Sequence, residues 1–289
     1  MANEKFDFHP NPRTVQPYVM EELTATIRWA QGVPSALRGW QPKGFNVMKL
    51  ARLSLLIAIC GSGKTMLLLI LAAYRFITSN MTQRQLIAVP QSHIGRGFTL
   101  DELGGKKGRR ICVNGAEYNW KIRNNFCDAS SQDVINKLKE FICTQASRSW
   151  REQVLRTGLI QEGIAVTTHA ALTMAIKQLR KELSPGDLRR AFHKLTLTVD
   201  EAHHIQGIFD DMETTDTMAN NLGALCRFIV NLKDDAGNPD ATAQLCLATQ
   251  SSEEIPSPKT YPPENWVPLP LFSVGPVHIP ENPNRFCLG

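Results

Sequence analysis

Two short stretches of this chain carry residue types suited to phosphate chemistry. The first is Ala58-Ile59-Cys60-Gly61-Ser62-Gly63-Lys64-Thr65, and the second, much further on, is Val199-Asp200-Glu201-Ala202-His203. A phosphate loop needs glycines, because backbone N–H groups converge on a phosphate only where no Cβ stands in the way. Gly61 and Gly63 meet that need, with Ser62 between them. Lys64 can then reach the β and γ oxygens as a point charge, Thr65 can ligate Mg²⁺ through its hydroxyl, and the following helix points its positive end at the phosphates. In the second stretch, Asp200 and Glu201 put paired carboxylates at the end of an apolar run. The pair predicts an ATP and Mg²⁺ site.

The elements that position these residues follow from the hydrophobic pattern. Residues 53–59 form an apolar run of strand length interrupted only by Ser54, as expected of a strand covered on both faces of a parallel sheet. Residues 66–76 read as helix, with the glycine loop at the turn between. Further short apolar runs at 85–89, 163–167, 195–199 and 244–248 predict four more strands of the same sheet. Helical patterns lie between them at 131–143, 147–156, 170–183, 185–193 and 218–232. Pro185 suits a first helical turn after Ser184, and Asp187 suits its positive end. Alternating strands and helices predict a three-layer α/β domain with a mainly parallel central sheet, whose ligands collect at the carboxyl ends of the strands. Both chemical stretches fall at such ends.

Composition sets the frame for this domain. A length of 289 residues with 43% hydrophobic content furnishes a sizeable core. The formal charge of +5 permits an anionic partner, but charges of both signs are interspersed without a long basic block. Seven cysteines without C-x-x-C spacing suit a reducing cytoplasm, and the polar first twelve residues lack the apolar segment of a secretory signal. The one stretch that could pass for a membrane span, 53–73, is split by the glycine loop into two short pieces. Adjacent His203 and His204 could ligate a metal, but no third ligand lies at useful spacing. Residues 99–125 read as an insertion or long loop, in which Gly104, Gly105, Lys106, Lys107, Gly108, Arg109 and Arg110 make a basic turn, either solvated or phosphate-binding. Residues 253–289 hold about half of the 17 prolines and read as an irregular tail or linker.

The general phosphate-loop pattern has a glycine where this chain has Ala58. The form A-x-x-G-x-G-K-T, followed downstream by D-E-A-H, resembles motifs I and II of superfamily 2 helicases of the DEAD/DEAH type, similar to the helicase domains of restriction-system translocases. That resemblance implies an N-terminal RecA-like lobe of P-loop NTPase fold at 37–252, preceded by an extension at 1–36. It implies that Asp200 holds Mg²⁺, that Glu201 orients or deprotonates the attacking water, and that His203 couples hydrolysis to neighbouring motifs. Leu37-Arg38-Gly39-Trp40-Gln41 resembles the segment in which a glutamine, here Gln41, reads the adenine edge beside an aromatic, here Trp40; a buried packing role for Trp40 is the alternative.

Val89-Pro90-Gln91 with Gly95-Arg96-Gly97-Phe98 resembles motif Ia, and Val166-Thr167-Thr168-His169 resembles motif Ib. Both are expected as loops after strands, where the family grips DNA or RNA backbone, making Gln91, Arg96 and Thr168 nucleic-acid candidates. Ordinary turn and cap chemistry competes, with Thr168 capping the helix from Ala170. Leu247-Ala248-Thr249 resembles the S/T-A-T of motif III, with Leu247 in place of a hydroxyl residue, and makes Thr249 a coupling residue. No arginine motif of a second RecA-like lobe follows Thr249, so the resemblance implies a motor lobe that needs a second lobe in cis or trans and turns over slowly alone. The competing expectations are an ATP-responsive nucleic-acid-binding module without turnover and a P-loop ATPase acting on another kind of partner.

Overall fold

A computed structural model describes residues 25–29, 40–58, 63–96, 98, 109–113, 116–120, 122–144, 148–157, 159–160, 162–205, 217–249 and 266–268. In chain order the elements are β1 (Ala25–Trp29), α1 (Trp40–Met48), β2 (Leu53–Ile57), α2 (Lys64–Thr78), β3 (Arg84–Val89), α3 (Ser92–Arg96), β4 (Arg109–Val113), β5 (Ala116–Trp120) and β6 (Asn124–Phe126). They continue with α4 (Gln132–Cys143), α5 (Arg148–Thr157), β7 (Leu159–Ile160), β8 (Ile164–Thr168), α6 (His169–Glu182), α7 (Pro185–Phe192) and β9 (Leu195–Val199). A 3₁₀ turn (Ala202–His204), α8 (Met218–Val230), β10 (Gln244–Thr249) and β11 (Trp266–Pro268) complete them.

The central sheet runs β11-β2-β10-β9-β3-β8-β6, and every pairing in it is parallel. All five strands expected from the apolar runs are present, with β6 and β11 added at the edges. This is the α/β architecture that the sequence predicts, RecA-like in placing β10 between the glycine-loop strand β2 and the Asp200 strand β9. Successive strand residues alternate between two hydrophobic layers, as the two-residue period of a strand requires. On one face Leu56, Ile87, Val89, Ile164, Val166 and Ala248 pack with α1 and α2. On the other Leu86, Ala88, Ala165, Leu197, Val199 and Leu247 pack with α4, α6, α7 and α8.

Helix starts follow the local chemistry. The side chains of Ser131, Thr168, Ser184 and Thr217 accept from the backbone N–H of Val134, Ala171, Asp187 and Asn220, so each satisfies a donor that the first turn leaves open. Arg84 lies fully buried at the start of β3. Its guanidinium donates to the carbonyls of Phe141, Ile142, Ala191 and His193 at 2.6–2.9 Å, joining the last turns of α4 and α7. Burial lowers its pKa to about 10, which still leaves it cationic at the negative ends of two helices.

Two expectations need correction. Residues 109–113 and 116–120 are not loop: they form an antiparallel hairpin in a second sheet ordered β1-β4-β5-β7. Val113 and Tyr118 of this sheet join the core around α2, which therefore lies between two sheets. Arg109 and Arg110 belong to β4, while residues 99–108 lie outside the described residues. The proline-rich region is also not wholly irregular, because Trp266–Pro268 pairs parallel with β2. No described helix is long and apolar enough to cross a membrane, and 53–73 resolves into β2 and part of α2.

Candidate nucleotide site

Two neighbouring crossovers bring the chemical stretches together. Beyond β2, the N–H of Ala58 donates to the carbonyl of Thr249 at 3.0 Å, which fastens the entrance of the glycine loop to the end of β10. Gly61 and Ser62 lie outside the described residues. Gly63 adopts φ 96°, ψ 24°, a left-handed conformation that glycine tolerates without a Cβ clash. Its carbonyl accepts from the N–H groups of Met66 and Leu67 and from Nε2 of Gln41 at 2.8 Å. Gln41 is buried. The residue expected to read adenine therefore also holds the loop through α1, where the carbonyl of Met48 at its end and that of Ala51 just beyond accept from Arg75 of α2. Trp40 opens α1, and its side chain lies outside the described residues.

Lys64 is the first residue of α2 and is buried. Its Nζ donates to the carbonyl of Ala58 at 3.0 Å and lies 3.2 Å from Oε1 of Glu201. Thr65 follows in the same turn, half-buried. Asp200 continues β9 by one residue, since its N–H donates to the carbonyl of Ala88 at 2.8 Å. Burial raises its pKa to about 6, and the neighbouring Glu201 carboxylate adds to the rise against the opposing pull of Lys64. Oδ1 of Asp200 accepts from the N–H of Glu201 at 3.1 Å.

Glu201 is left-handed at φ 51°, ψ 53°, a conformation that costs a residue with a Cβ about 1–2 kcal/mol. Its Oε2 is buried, lies 3.3 Å from Nδ1 of His203, and accepts no hydrogen bond among the described residues. Nδ1 of His203 is also 3.4 Å from the hydroxyl of Thr249, so the ends of β9 and β10 meet at this imidazole. The side chain of His204 lies outside the described residues, among which no group of three His, Cys, Asp or Glu could hold a metal.

The structure thus gathers Gln41, Gly63, Lys64, Thr65, Asp200, Glu201, His203 and Thr249 at one end of the parallel sheet. Gln91 is exposed just beyond β3, at the same end. Residues 92–96 form the helix α3 rather than a loop, and the side chain of Arg96 lies outside the described residues. Thr168 is buried, with its hydroxyl accepting from Ala171 N–H at 3.2 Å and donating to the carbonyl of Cys127 at 3.4 Å. One contributor is given no role in the sequence reading, where it only closes the motif Ib stretch: Nε2 of buried His169 lies 3.0 Å from the carbonyl of Asp200. No spacing signal marks it, because β3 lies between β8 and β9 in the sheet.

No protein-family model matches the chain, and no curated protein matches it. It is similar to a solved structure described as the crystal structure of DUF1998 helicase MrfA bound to DNA and AMPPNP, at 18% identity and a TM-score of 0.42. The match covers 79% of this chain and 25% of that one. The chain thus spans about a quarter of that protein's length.

Proposed function

We propose that this chain is the ATP-binding motor lobe of a DEAH-type, nucleic-acid-dependent ATPase. The observation that carries the reading is the meeting of Lys64 and Glu201 at 3.2 Å, from two separate crossovers, with Asp200 buried beside them. A lysine at a helix start and two carboxylates at a strand end are the charges that a triphosphate and its metal require. Oε2 of Glu201, which accepts no hydrogen bond among the described residues, fits an acceptor held for a water. Thr65 and Asp200 supply oxygen ligands of the kind Mg²⁺ takes, and the ion would neutralise phosphate charge there.

In this reading Lys64 exchanges the Glu201 carboxylate for phosphate oxygens when ATP binds. Glu201, released, orients and deprotonates the attacking water. His203 and Thr249 link that carboxylate to β10, and Gln41 ties the adenine side of the site to the glycine loop. Gln91 and Arg96, after β3, contact the backbone of DNA or RNA, and Thr168 shapes the neighbouring α6 start. A second RecA-like lobe, in cis or trans, completes the cleft with arginines.

The test is ATPase activity with and without single- and double-stranded DNA and RNA, alone and with a complementary second lobe. Stimulation by a nucleic acid is the expected result. ATP turnover that no nucleic acid raises under either condition would remove the motor reading and leave a P-loop ATPase with another partner.

A further inference from the structure

The peptide that joins Asp200 to Glu201 is held from both sides. Its N–H donates to Oδ1 of Asp200 at 3.1 Å, and its carbonyl faces Nε2 of His169 at 3.0 Å. A carbonyl only accepts, so Nε2 of His169 carries the proton. The residue beyond this peptide, Glu201, keeps a left-handed backbone that a non-glycine residue adopts only where its surroundings enforce it. His169 itself has little freedom. It is fully buried at the first position of α6, next to the Thr168 cap, and its carbonyl accepts from the Thr173 hydroxyl at 2.9 Å.

We infer that His169 is a positioning residue for the two carboxylates. Its Nε2–H fixes the plane of the Asp200–Glu201 peptide. That plane keeps Oδ1 of Asp200 on the Glu201 amide and turns the Glu201 carboxylate toward Lys64. Rotation of the peptide would undo both relationships at once. The inference rests on reading this site as one for ATP and magnesium. It also gives the start of α6, beside the candidate nucleic-acid segment, a direct mechanical hold on the strand end that carries the acids.

Two variants of the full chain test it. His169→Phe keeps the ring and removes the donor, while His169→Gln places an amide N–H at a reach close to that of Nε2. The readout is the affinity for a fluorescent ATP analogue with magnesium, divided by the affinity in EDTA. The magnesium gain should fall about tenfold in His169→Phe, the worth of one well-made buried hydrogen bond, with affinity in EDTA unchanged. It should return to the wild-type level in His169→Gln. Without nucleotide, the Glu201 amide should exchange its hydrogen faster in His169→Phe than in His169→Gln.

An unchanged magnesium gain in His169→Phe, or equal losses in both variants, would reduce His169 to a packing residue and overturn the inference. If His169→Phe lacks a cooperative thermal transition, His169→Asn replaces it, since its amide stops short of the carbonyl; equal behaviour of the Asn and Gln variants would then overturn the inference. A wild-type chain that binds no nucleotide would overturn the site reading itself. That result is distinct from a wild type that responds to magnesium and variants that respond equally.

Discussion

Lys64 and Glu201 neutralise each other across 3.2 Å in this structure. The lysine that would grip a phosphate is thus engaged by the carboxylate that would activate water. In the proposed function, ATP binding breaks this pair. Lys64→Ala should therefore abolish magnesium-dependent ATP binding in calorimetry. Glu201→Gln should bind Mg·ATP at least as tightly as wild type, because the amide no longer competes for the lysine. Hydrolysis in that variant should drop by about a hundredfold or more, the usual loss when a general base is removed.

Asp200 predicts a pH dependence of known sign. Its folded pKa of about 6 lies above the ordinary value of 3.8, so the fold holds this proton more tightly than the unfolded chain does. The stability contributed by the protonated acid is complete below pH 4 and is lost as pH rises to about 6, at a cost of about 3 kcal/mol. Asp200→Asn should accordingly melt higher than wild type, by a margin that grows from pH 4 to 6 and then levels. Magnesium binding needs the ionised form, so wild-type Mg·ATP affinity should weaken as pH falls through about 6.

Arg84 predicts a large structural effect remote from the nucleotide. Arg84→Met removes the donors to four carbonyls at the ends of α4 and α7. Buried acceptors that lose a charged donor cost about 3–5 kcal/mol together, to be read from the midpoint of urea unfolding. Nucleotide affinity of the folded fraction should be unchanged.

Two glycines allow a matched comparison. A Cβ on Gly163, at φ +73°, would stand 2.2 Å from Cε2 of Phe76, whereas a Cβ on Gly237, at φ +82°, would meet nothing within 4 Å. Gly237→Ala should cost only the backbone strain, about 1 kcal/mol. Gly163→Ala should add a core clash and lose about 3 kcal/mol in the same unfolding measurement.

Much of this fold is visible in the residues themselves. The run Leu-Thr-Leu-Thr-Val at 195–199 is the strand β9 to the residue, because leucine and β-branched threonine and valine suit a strand buried on both faces. Ser184 and Pro185 mark a helix start that the structure reproduces. The accessory sheet was not visible, since β1 and β4 lie about eighty residues apart and β4 opens with Arg109 and Arg110. Arg84 looks like any surface arginine in sequence, because its acceptors are backbone carbonyls brought to it by packing. At the site, the residue types of Lys64, Asp200 and Glu201 were legible. The left-handed backbone of Glu201 and the hydrogen bond from His169 were not, since both depend on strand order rather than on local pattern.

The short strand β11 bears on how this protein behaves when cut. It covers the outer edge of β2, a strand whose Leu53 and Leu56 are fully buried, and Pro268 within it has no N–H to offer a further neighbour. A chain shortened to residue 250 keeps every residue assigned to the nucleotide, yet it leaves β2 with a bare row of amides and carbonyls. Such an edge pairs readily with another molecule. The shortened protein should self-associate into insoluble material, detectable by light scattering, because the pairing of β11 along β2 is what covers this edge.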